Sequence, residues 1–129
     1  MDADLVKAKY ISLATYRRDG TSVATPVWFA VDVNRLVIYS DADAGKVKRL
    51  RNNQQCTVAI CDARGKVKGP EMHALGRLLP ETEALRVHAL LNEKYGFVKT
   101  AVEFGGRFGR KLRRKPEAAE GFIEIALVP

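Results

Sequence analysis

Apolar and polar residues alternate along most of the first half of the chain, which predicts extended strands. "KYISLATY" and "TSVATPVWFAVD" are two such runs, and the Asp19-Gly20 pair between them is typical of a tight hairpin. In the second run Pro26 has no backbone N–H to donate, so it predicts an edge, a bulge or a break in the strand pairing. The pattern therefore predicts an antiparallel hairpin at the start of the fold.

The rest of the chain adds further strands and two helices. "NRLVIYS", "QQCTVAICD" and "PEMHALGRLLP" are strand-like runs, and Gly76 in the third predicts a bulge or a sharp bend. Between the first two runs, Val47 and Leu50 are three residues apart, which predicts a short helix with its cations facing outward. "ETEALRVHALLNEKYG" has the pattern of an amphipathic helix that ends at Gly96, and "GFIEIALVP" predicts a last strand.

Hairpin-connected strands with one main amphipathic helix favour a mainly β fold, a small antiparallel barrel rather than a doubly wound sheet. The 129 residues are the usual length of one domain, so we expect a single domain over residues 1–129. The sequence shows neither a signal-peptide pattern nor the ~18 consecutive apolar residues of a membrane-spanning helix. We therefore expect a cytoplasmic protein that does not enter a membrane.

The composition favours an anionic partner. The chain has 22 Lys and Arg against 15 Asp and Glu, a net charge of +7, which leaves nucleic acid, acidic lipid and a phosphorylated cofactor open. Cys56 and Cys61 are five residues apart on one predicted strand, so their side chains point to opposite faces and we expect free thiols. No metal-ligand spacing, P-loop, dinucleotide-binding glycine pattern or serine elbow is present, so nothing indicates metal or covalent catalysis.

The segment "SDADAGKVKRLRNN" carries four cations within six positions: Lys46, Lys48, Arg49 and Arg51. A solvated helix face is one interpretation of this pattern. A phosphate pocket is the other, because Gly45 at a strand-to-helix junction would let an anion approach the backbone amides at the helix start. The residues alone leave both interpretations open.

Two further segments have both a structural and a functional interpretation. For the segment around Trp28, the structural interpretation is that the ring packs in the core or in a dimer interface. The functional interpretation is that Pro26 interrupts the pairing, so that backbone groups of Thr25 and Val27 turn toward a planar ligand. Residues 99–115 contain seven basic residues and one acidic residue. That segment either improves solubility or forms a groove for an extended polyanion.

The sequence also resembles a known family. "RRDGTSVATPVWFAVD", "LVIYSDADAGKVKRLRNNQQCTVAICDARG" and "HALGRLLP" are similar to the pyridoxamine phosphate oxidase-like split β-barrel flavoproteins, in particular the flavin/deazaflavin oxidoreductases that use coenzyme F-420. This resemblance covers nearly the whole chain and implies an FMN-binding split β-barrel fold. It also implies a homodimer with two cofactor sites at the subunit interface, each built from both chains.

The resemblance further implies which residues hold the cofactor. The family's phosphate-binding turn matches Lys46 and Lys48, with Arg49 adjacent and Ser40 on the preceding strand. The segment that contacts the edge of the isoalloxazine ring matches four consecutive residues, Thr25, Pro26, Val27 and Trp28. The basic stretch from Arg107 to Lys115 would suit the polyglutamate tail of coenzyme F-420.

The activity that the resemblance implies is hydride transfer from reduced coenzyme F-420 to an electron-poor conjugated molecule, such as a quinone, an enone or a biliverdin-type tetrapyrrole. We expect Tyr95, Phe97 and Phe104 among the residues that line the acceptor pocket, and the sequence identifies no catalytic residue. An FMN-dependent oxidase or reductase of the same fold is the alternative. A non-catalytic cofactor carrier and a nucleic-acid-binding module are alternatives of another class, and nucleic acid is disfavoured because the aromatic residues follow core patterns.

Overall fold

The computed structural model describes residues 1–96 and 120–129 of the chain. In chain order the described elements are α1 (Ala3–Lys7), β1 (Tyr10–Tyr16), β2 (Ser22–Val27), β3 (Ala30–Asp32), β4 (Arg35–Asp41), α2 (Gly45–Asn52), β5 (Gln55–Cys61), β6 (Met72–Leu79), α3 (Ala84–Tyr95) and β7 (Glu120–Leu127), with a 3₁₀ turn at Glu81–Glu83 before α3. None of the described helices is long and apolar enough to cross a membrane. The sequence pattern did not predict α1, and it merged β2 and β3 into one strand.

The predicted hairpin connects β1 and β2. The Gly20 N–H donates to the Arg17 carbonyl at 2.9 Å, and the Arg17 N–H donates to the Thr21 carbonyl at 2.8 Å. Gly20 has a φ of 91°, a conformation that glycine adopts without strain and that residues with a Cβ rarely adopt. The Asp19-Gly20 signal is therefore confirmed.

All strands of the described residues form one antiparallel sheet in the order β2-β1-β5-β6-β7-β4-β3. The two edge strands, β2 and β3, are neighbours in the chain and are separated only by Trp28 and Phe29. Three trans peptide steps span at most about 12 Å, so the two edges of the sheet come close together. The sheet must therefore curl into a half-barrel, which confirms the predicted mainly β, split-barrel fold.

One face of the sheet carries the first core cluster, into which α2 packs Val47 and Leu50. Gly76 of β6 lies under this helix, because a Cβ at residue 76 would come within 3.0 Å of Leu50 and 3.1 Å of Ile125. The pairing of β6 with β7 runs through Gly76 without an extra residue, so the predicted bulge is wrong. Close packing of α2 and β7 on the strand explains the glycine.

The second core cluster joins α3 to β4 and β7. Val87, Leu91 and Tyr95 of α3 pack with Tyr39 and Phe122, as the amphipathic pattern predicted. Tyr39 alternates with Ile38, a residue of the first cluster, so the two clusters lie on opposite faces of β4. The helix α3 ends at Gly96, as predicted.

The two cysteines are free and buried, as expected. Cys56 belongs to the first core cluster, and Cys61 lies five residues further along β5, on the other face of the strand. Burial raises the pKa of the Cys56 thiol to about 11. Both thiols therefore fill space in the fold, and neither is an activated nucleophile.

Candidate functional site

Three elements bring basic and hydroxyl side chains together at the start of α2. Lys46 and Arg49 are three residues apart, so they lie on the same side of this helix. The Lys46 Nζ atom lies 3.5 Å from Ser40 Oγ on β4, and Arg49 Nε donates to Thr15 Oγ1 on β1 at 2.6 Å. The structure therefore groups three of the predicted phosphate residues, Ser40, Lys46 and Arg49, with Thr15.

The guanidinium of Arg49 is held in place from two sides. Thr15 is fully buried and anchors Arg49 Nε, while Arg49 Nη1 lies 2.7 Å from the position that a Cβ on residue 45 would occupy. Gly45 is therefore needed for the guanidinium to fold back against the first turn of α2. A side chain that is already ordered loses less entropy when it binds a ligand.

The charges around Arg49 favour an anion. Burial, followed by the nearby Arg17 cation, lowers the pKa of the Arg49 guanidinium. Among the residues that the structure describes, Arg49 forms no salt bridge. The helix start adds to this potential, because Ala44 has no side chain that can cap it and the first turn carries no acidic residue. We term Thr15, Arg17, Ser40, Lys46 and Arg49 the cation cluster.

Lys48 and Arg51 lie apart from the cation cluster. Lys48 follows Lys46 by two residues, so it points to a different side of α2, and its side chain is exposed. Arg51 is exposed in the last turn, in agreement with a solvated helix face. The role of Lys48 as a phosphate ligand stays a prediction.

The second predicted segment lies on the edge strand β2, and its pairing with β1 is continuous. The expected interruption at Pro26 is therefore wrong, since the register is Leu13 with Thr25, Ser12 with Pro26 and Ile11 with Val27. In an antiparallel pair, every second residue of a strand forms backbone hydrogen bonds with its neighbour. The Arg17–Thr21 hydrogen bond sets this alternation, so the backbones of Thr25 and Val27 bond to β1. Pro26 falls where the backbone faces away from β1, so it marks the edge of the sheet.

The side chain of Thr25 is left with an unmet hydrogen bond. Its Oγ1 is buried and has no hydrogen-bond partner within the described part of the chain. A buried hydroxyl without a hydrogen bond reduces the stability of the fold by about 1–3 kcal/mol. Thr25 pairs with Leu13, so its side chain shares a sheet face with Thr15 and lies roughly 7 Å away from it on the diagonal. The Thr25 hydroxyl, rather than its backbone, is therefore the group suited to a ligand.

Trp28 packs inside the described structure. It is 9% exposed, and its ring stacks on Tyr95 with centroids 4.2 Å apart. The Tyr95 hydroxyl lies 2.7 Å from the Lys9 carbonyl and accepts the Phe29 N–H at 3.1 Å, which fixes the ring. The packing interpretation of Trp28 thus holds in this chain, and its contact with a cofactor stays a prediction, as does that of Tyr95 with an acceptor. Phe97, Phe104 and the basic residues 99–115 lie outside the described residues.

Ion pairs link α3 to the sheet and to the 3₁₀ turn that precedes the helix. Arg86 pairs with Asp32, Glu83 and Glu124, and His88 Nε2 lies 2.8 Å from Glu120 Oε2. Burial, then the charges of Glu120 and Asp41, raise the pKa of Tyr39 to about 12, so this phenol stays protonated. In residues 1–96 and 120–129 no group of three or more His, Cys, Asp or Glu is placed to hold a metal ion.

Sequence reasoning missed two members of the cation cluster, Thr15 and Arg17. Arg17 follows directly on a predicted strand, so a basic residue at a strand end was the available signal. Thr15 gives no signal, because a threonine within an alternating strand is ordinary. Its importance comes from the β1–α2 contact, which links residues 34 positions apart.

Comparisons with known proteins agree with this fold. The family model described as pyridoxamine 5'-phosphate oxidase matches residues 1–120. An F420 reductase has a similar structure, with 20% identity, 98% of this chain and 92% of that chain covered, and a TM-score of 0.63. A conserved hypothetical protein from Mycobacterium tuberculosis is 18% identical over 100% of this chain and 82% of its own, with a TM-score of 0.67.

A third similar structure is a FAD-binding protein from Mesorhizobium loti, with 17% identity, 97% of this chain and 83% of that chain covered, and a TM-score of 0.62. No curated protein matches by sequence. At these identities the structural likeness shows a shared fold. The match of the family model spans nearly the whole sequence, and the chain therefore belongs to the pyridoxamine 5'-phosphate oxidase family.

Proposed function

We propose that this protein is an oxidoreductase that binds coenzyme F-420 and transfers hydride from the reduced coenzyme to an electron-poor conjugated small molecule. The observation that carries the proposal is the cation cluster, in which Arg49 is fixed beside Lys46 and Ser40 at the start of α2. Family membership and the similar fold of an F420 reductase support it. Quinones, enones and biliverdin-type tetrapyrroles are the acceptor classes that we expect.

The cation cluster fits a cofactor phosphate. Arg49 would offer its two terminal nitrogens, since its Nε is already bonded to Thr15. Lys46 would supply a point charge and Ser40 a hydroxyl donor from the neighbouring strand. Arg17 would add positive potential, because its charge is felt at Arg49. We retain Lys48 as a proposed ligand that would have to reach around the helix.

The ring end would lie along β2. The Thr25 hydroxyl, which has no hydrogen-bond partner among the described residues, fits the polar edge of a planar ring, because a ligand group would supply that hydrogen bond. Pro26, Val27 and Trp28 would provide apolar surface next to it. When bound, reduced deazaflavin supplies the hydride, so the protein needs mainly to orient the ring and exclude water. A reaction in which the cofactor supplies the chemistry needs no nucleophilic side chain, and none is evident among the described residues of the site.

We also propose a homodimer in which both chains contribute to each cofactor site. The edge strand β2 supports this arrangement, since the described residues pair with it only on the β1 side. Size-exclusion chromatography with light scattering at micromolar protein measures the mass directly. A monomer at about 100 μM protein would contradict the shared site.

The experiment that tests the function compares two cofactors. Fluorescence titration with coenzyme F-420 and with FMN should give micromolar affinity for F-420 and at least tenfold weaker affinity for FMN. The reverse order would favour an FMN enzyme, and binding of neither cofactor at about 100 μM would refute both. Reduced coenzyme F-420 mixed with protein and a soluble quinone should then be oxidised faster than without protein. Binding without turnover of any acceptor class would instead identify a cofactor carrier.

A further inference from the structure

A cleft of about 490 Å³ lies between α1, the start of β1 and the end of α3. Its lining is strongly basic for its size: Val6, Lys7, Lys9, Lys94 and Tyr95. A second cleft of about 290 Å³ adjoins it and shares Val6 and Lys94 with it. A lining of three lysines, one valine and one aromatic ring suits a small anion with an apolar body.

Lys94 occupies an unusual position at this cleft. Its Nζ atom is buried and has no hydrogen-bond partner within residues 1–96 and 120–129. The ammonium lies over the ring of Phe29, 3.4 Å from the ring centroid. Burial lowers the pKa of Lys94 to about 8. Within the described residues this ammonium has lost water and gained only the ring faces of Phe29 and, at 5.3 Å, Tyr95, so its interactions are incomplete.

A carboxylate would complete them. A charge-assisted hydrogen bond to an ammonium is stronger than a cation–π contact, and the four-carbon lysine side chain is flexible enough to swing from the ring to a ligand. Lys7 and Lys9 add two further cations from α1 and the start of β1. Among the described residues that line the two clefts, the charged or titratable groups around Lys94 are Lys7, Lys9 and the Tyr95 phenol, with Glu93 in the adjoining cleft.

We infer that this lysine cleft is a binding site for a small carboxylate with an apolar body, and that Lys94 is its main ligand. The site shares no lining residue with the cation cluster. Tyr95, which lines the cleft, stacks on Trp28, so a ligand here would lie beside the linker that joins β2 to β3.

The test uses 2-naphthoate as the probe, in the full-length protein without cofactor. Isothermal titration should show saturable binding with a dissociation constant below about 1 mM, and Lys94→Met should weaken it at least tenfold. The neutral analogue 2-naphthamide should bind at least tenfold more weakly than the carboxylate. Equal binding of the two probes, equal binding by Lys94→Met, or no saturation by the wild type at about 10 mM would overturn the site.

Two controls separate the site from general attraction. Lys68→Met removes one exposed lysine from the β5–β6 loop and should change the affinity less than twofold. A loss equal to that of Lys94→Met would show that net charge alone attracts the probe and would overturn the inference. If Lys94→Met does not fold, Lys9→Met takes its place, with an expected loss of about threefold; unchanged affinity in that variant would equally count against the site.

Proton uptake gives a readout that a structural role would not produce. A bound carboxylate favours the charged lysine and raises its pKa, so binding at pH 8 should take up about half a proton per site. Titrations in two buffers of different ionisation enthalpy measure that number. Uptake should vanish in Lys94→Met, and uptake that persists there would assign the proton to another group and overturn the role of Lys94.

Discussion

The two basic regions of the described structure, the cation cluster and the lysine cleft, hold their principal cations in opposite ways. Arg49 has a hydrogen-bond acceptor in Thr15 and a glycine that makes room for its guanidinium. Within residues 1–96 and 120–129 Lys94 has neither, and its ammonium is covered by the ring of Phe29. Arg49 is therefore oriented before a ligand arrives, while Lys94 gains its polar partner only when one binds.

Because of this difference, we expect each cation to affect ligand binding and folding stability differently. An oriented, hydrogen-bonded arginine should matter strongly for an anion, and its removal should not stabilise the fold, because buried Thr15 would lose its donor. A desolvated ammonium without an acceptor should destabilise the fold, because the unfolded chain hydrates it fully. Removal of the two charges should thus give opposite patterns.

The largest expected effect is on cofactor binding by Arg49→Ala. Loss of a charge-assisted contact to phosphate should weaken the preferred cofactor ~30-fold, about 2 kcal/mol. The matched control, Arg51→Ala, removes the same charge from an exposed position on the same helix and should change affinity less than twofold. Fluorescence titration at fixed ionic strength measures both. Similar losses in the two variants would mean that α2 attracts the cofactor only through its overall charge.

Lys94→Met should show the opposite pattern, a gain in stability. Methionine has a similar length and no charge to desolvate, so the free energy of unfolding at pH 7 should rise by about 1–2 kcal/mol after the lost cation–π contact is subtracted. Urea unfolding, followed by circular dichroism, measures this value. A loss of stability would contradict the assignment of Lys94 as a destabilised cation.

The difference in unfolding free energy between Lys94→Met and the wild type should depend on pH. The folded pKa of Lys94, about 8, lies below its ordinary value of 10.5, so the penalty is complete below pH 8. Between pH 8 and 10.5 the unfolded wild-type chain binds more protons than the folded one, and its stability relative to Lys94→Met should rise. The advantage of the variant should therefore be largest at pH 7 and mostly gone at pH 10. A stability difference that stays the same from pH 7 to pH 10 would show that the effect does not come from the charge of Lys94.

The sequence predicted the parts of the fold that depend on local signals. The Asp19-Gly20 turn, the amphipathic pattern of α3 and the short helix after β4 all follow from residues close together in the chain. The bulge predicted at Gly76 was wrong, because the glycine makes room for Leu50 and Ile125, a contact that no local pattern reveals. The interruption predicted at Pro26 was also wrong, because Pro26 pairs with Ser12 at a position where the ladder with β1 needs no N–H from the proline.

The functional residues likewise differ in whether a local sequence pattern reveals them. Ser40, Lys46 and Arg49 lie within ten residues of one another. The local basic motif made Lys46 and Arg49 candidates, and the family resemblance added Ser40. Thr15 and Lys94 carry no motif, and their roles arise from contacts with Arg49 and Phe29, which are distant in sequence. Predicting them would have required the geometry of the curled sheet itself.

The smallest expected effect, and the sharpest test of an oriented Arg49, comes from Gly45→Ala. An alanine Cβ would lie 2.7 Å from Arg49 Nη1, so the guanidinium must move, while the backbone is not required to. Stability should stay the same or rise by ~0.5 kcal/mol, because alanine favours helix more than glycine. Cofactor affinity should fall about fivefold, roughly 1 kcal/mol, since the displaced guanidinium loses its geometry but keeps its charge.

A double-mutant cycle decides how Gly45 acts. If the alanine works by displacing Arg49, then Gly45→Ala should have no further effect on affinity in a protein that already carries Arg49→Ala. If the glycine instead lets the cofactor approach the helix start, the two losses should add. Additive losses would leave Arg49 as one charge among several. If the double variant instead binds the cofactor no more weakly than Arg49→Ala alone, then Gly45 acts at this site by making room for the guanidinium of Arg49.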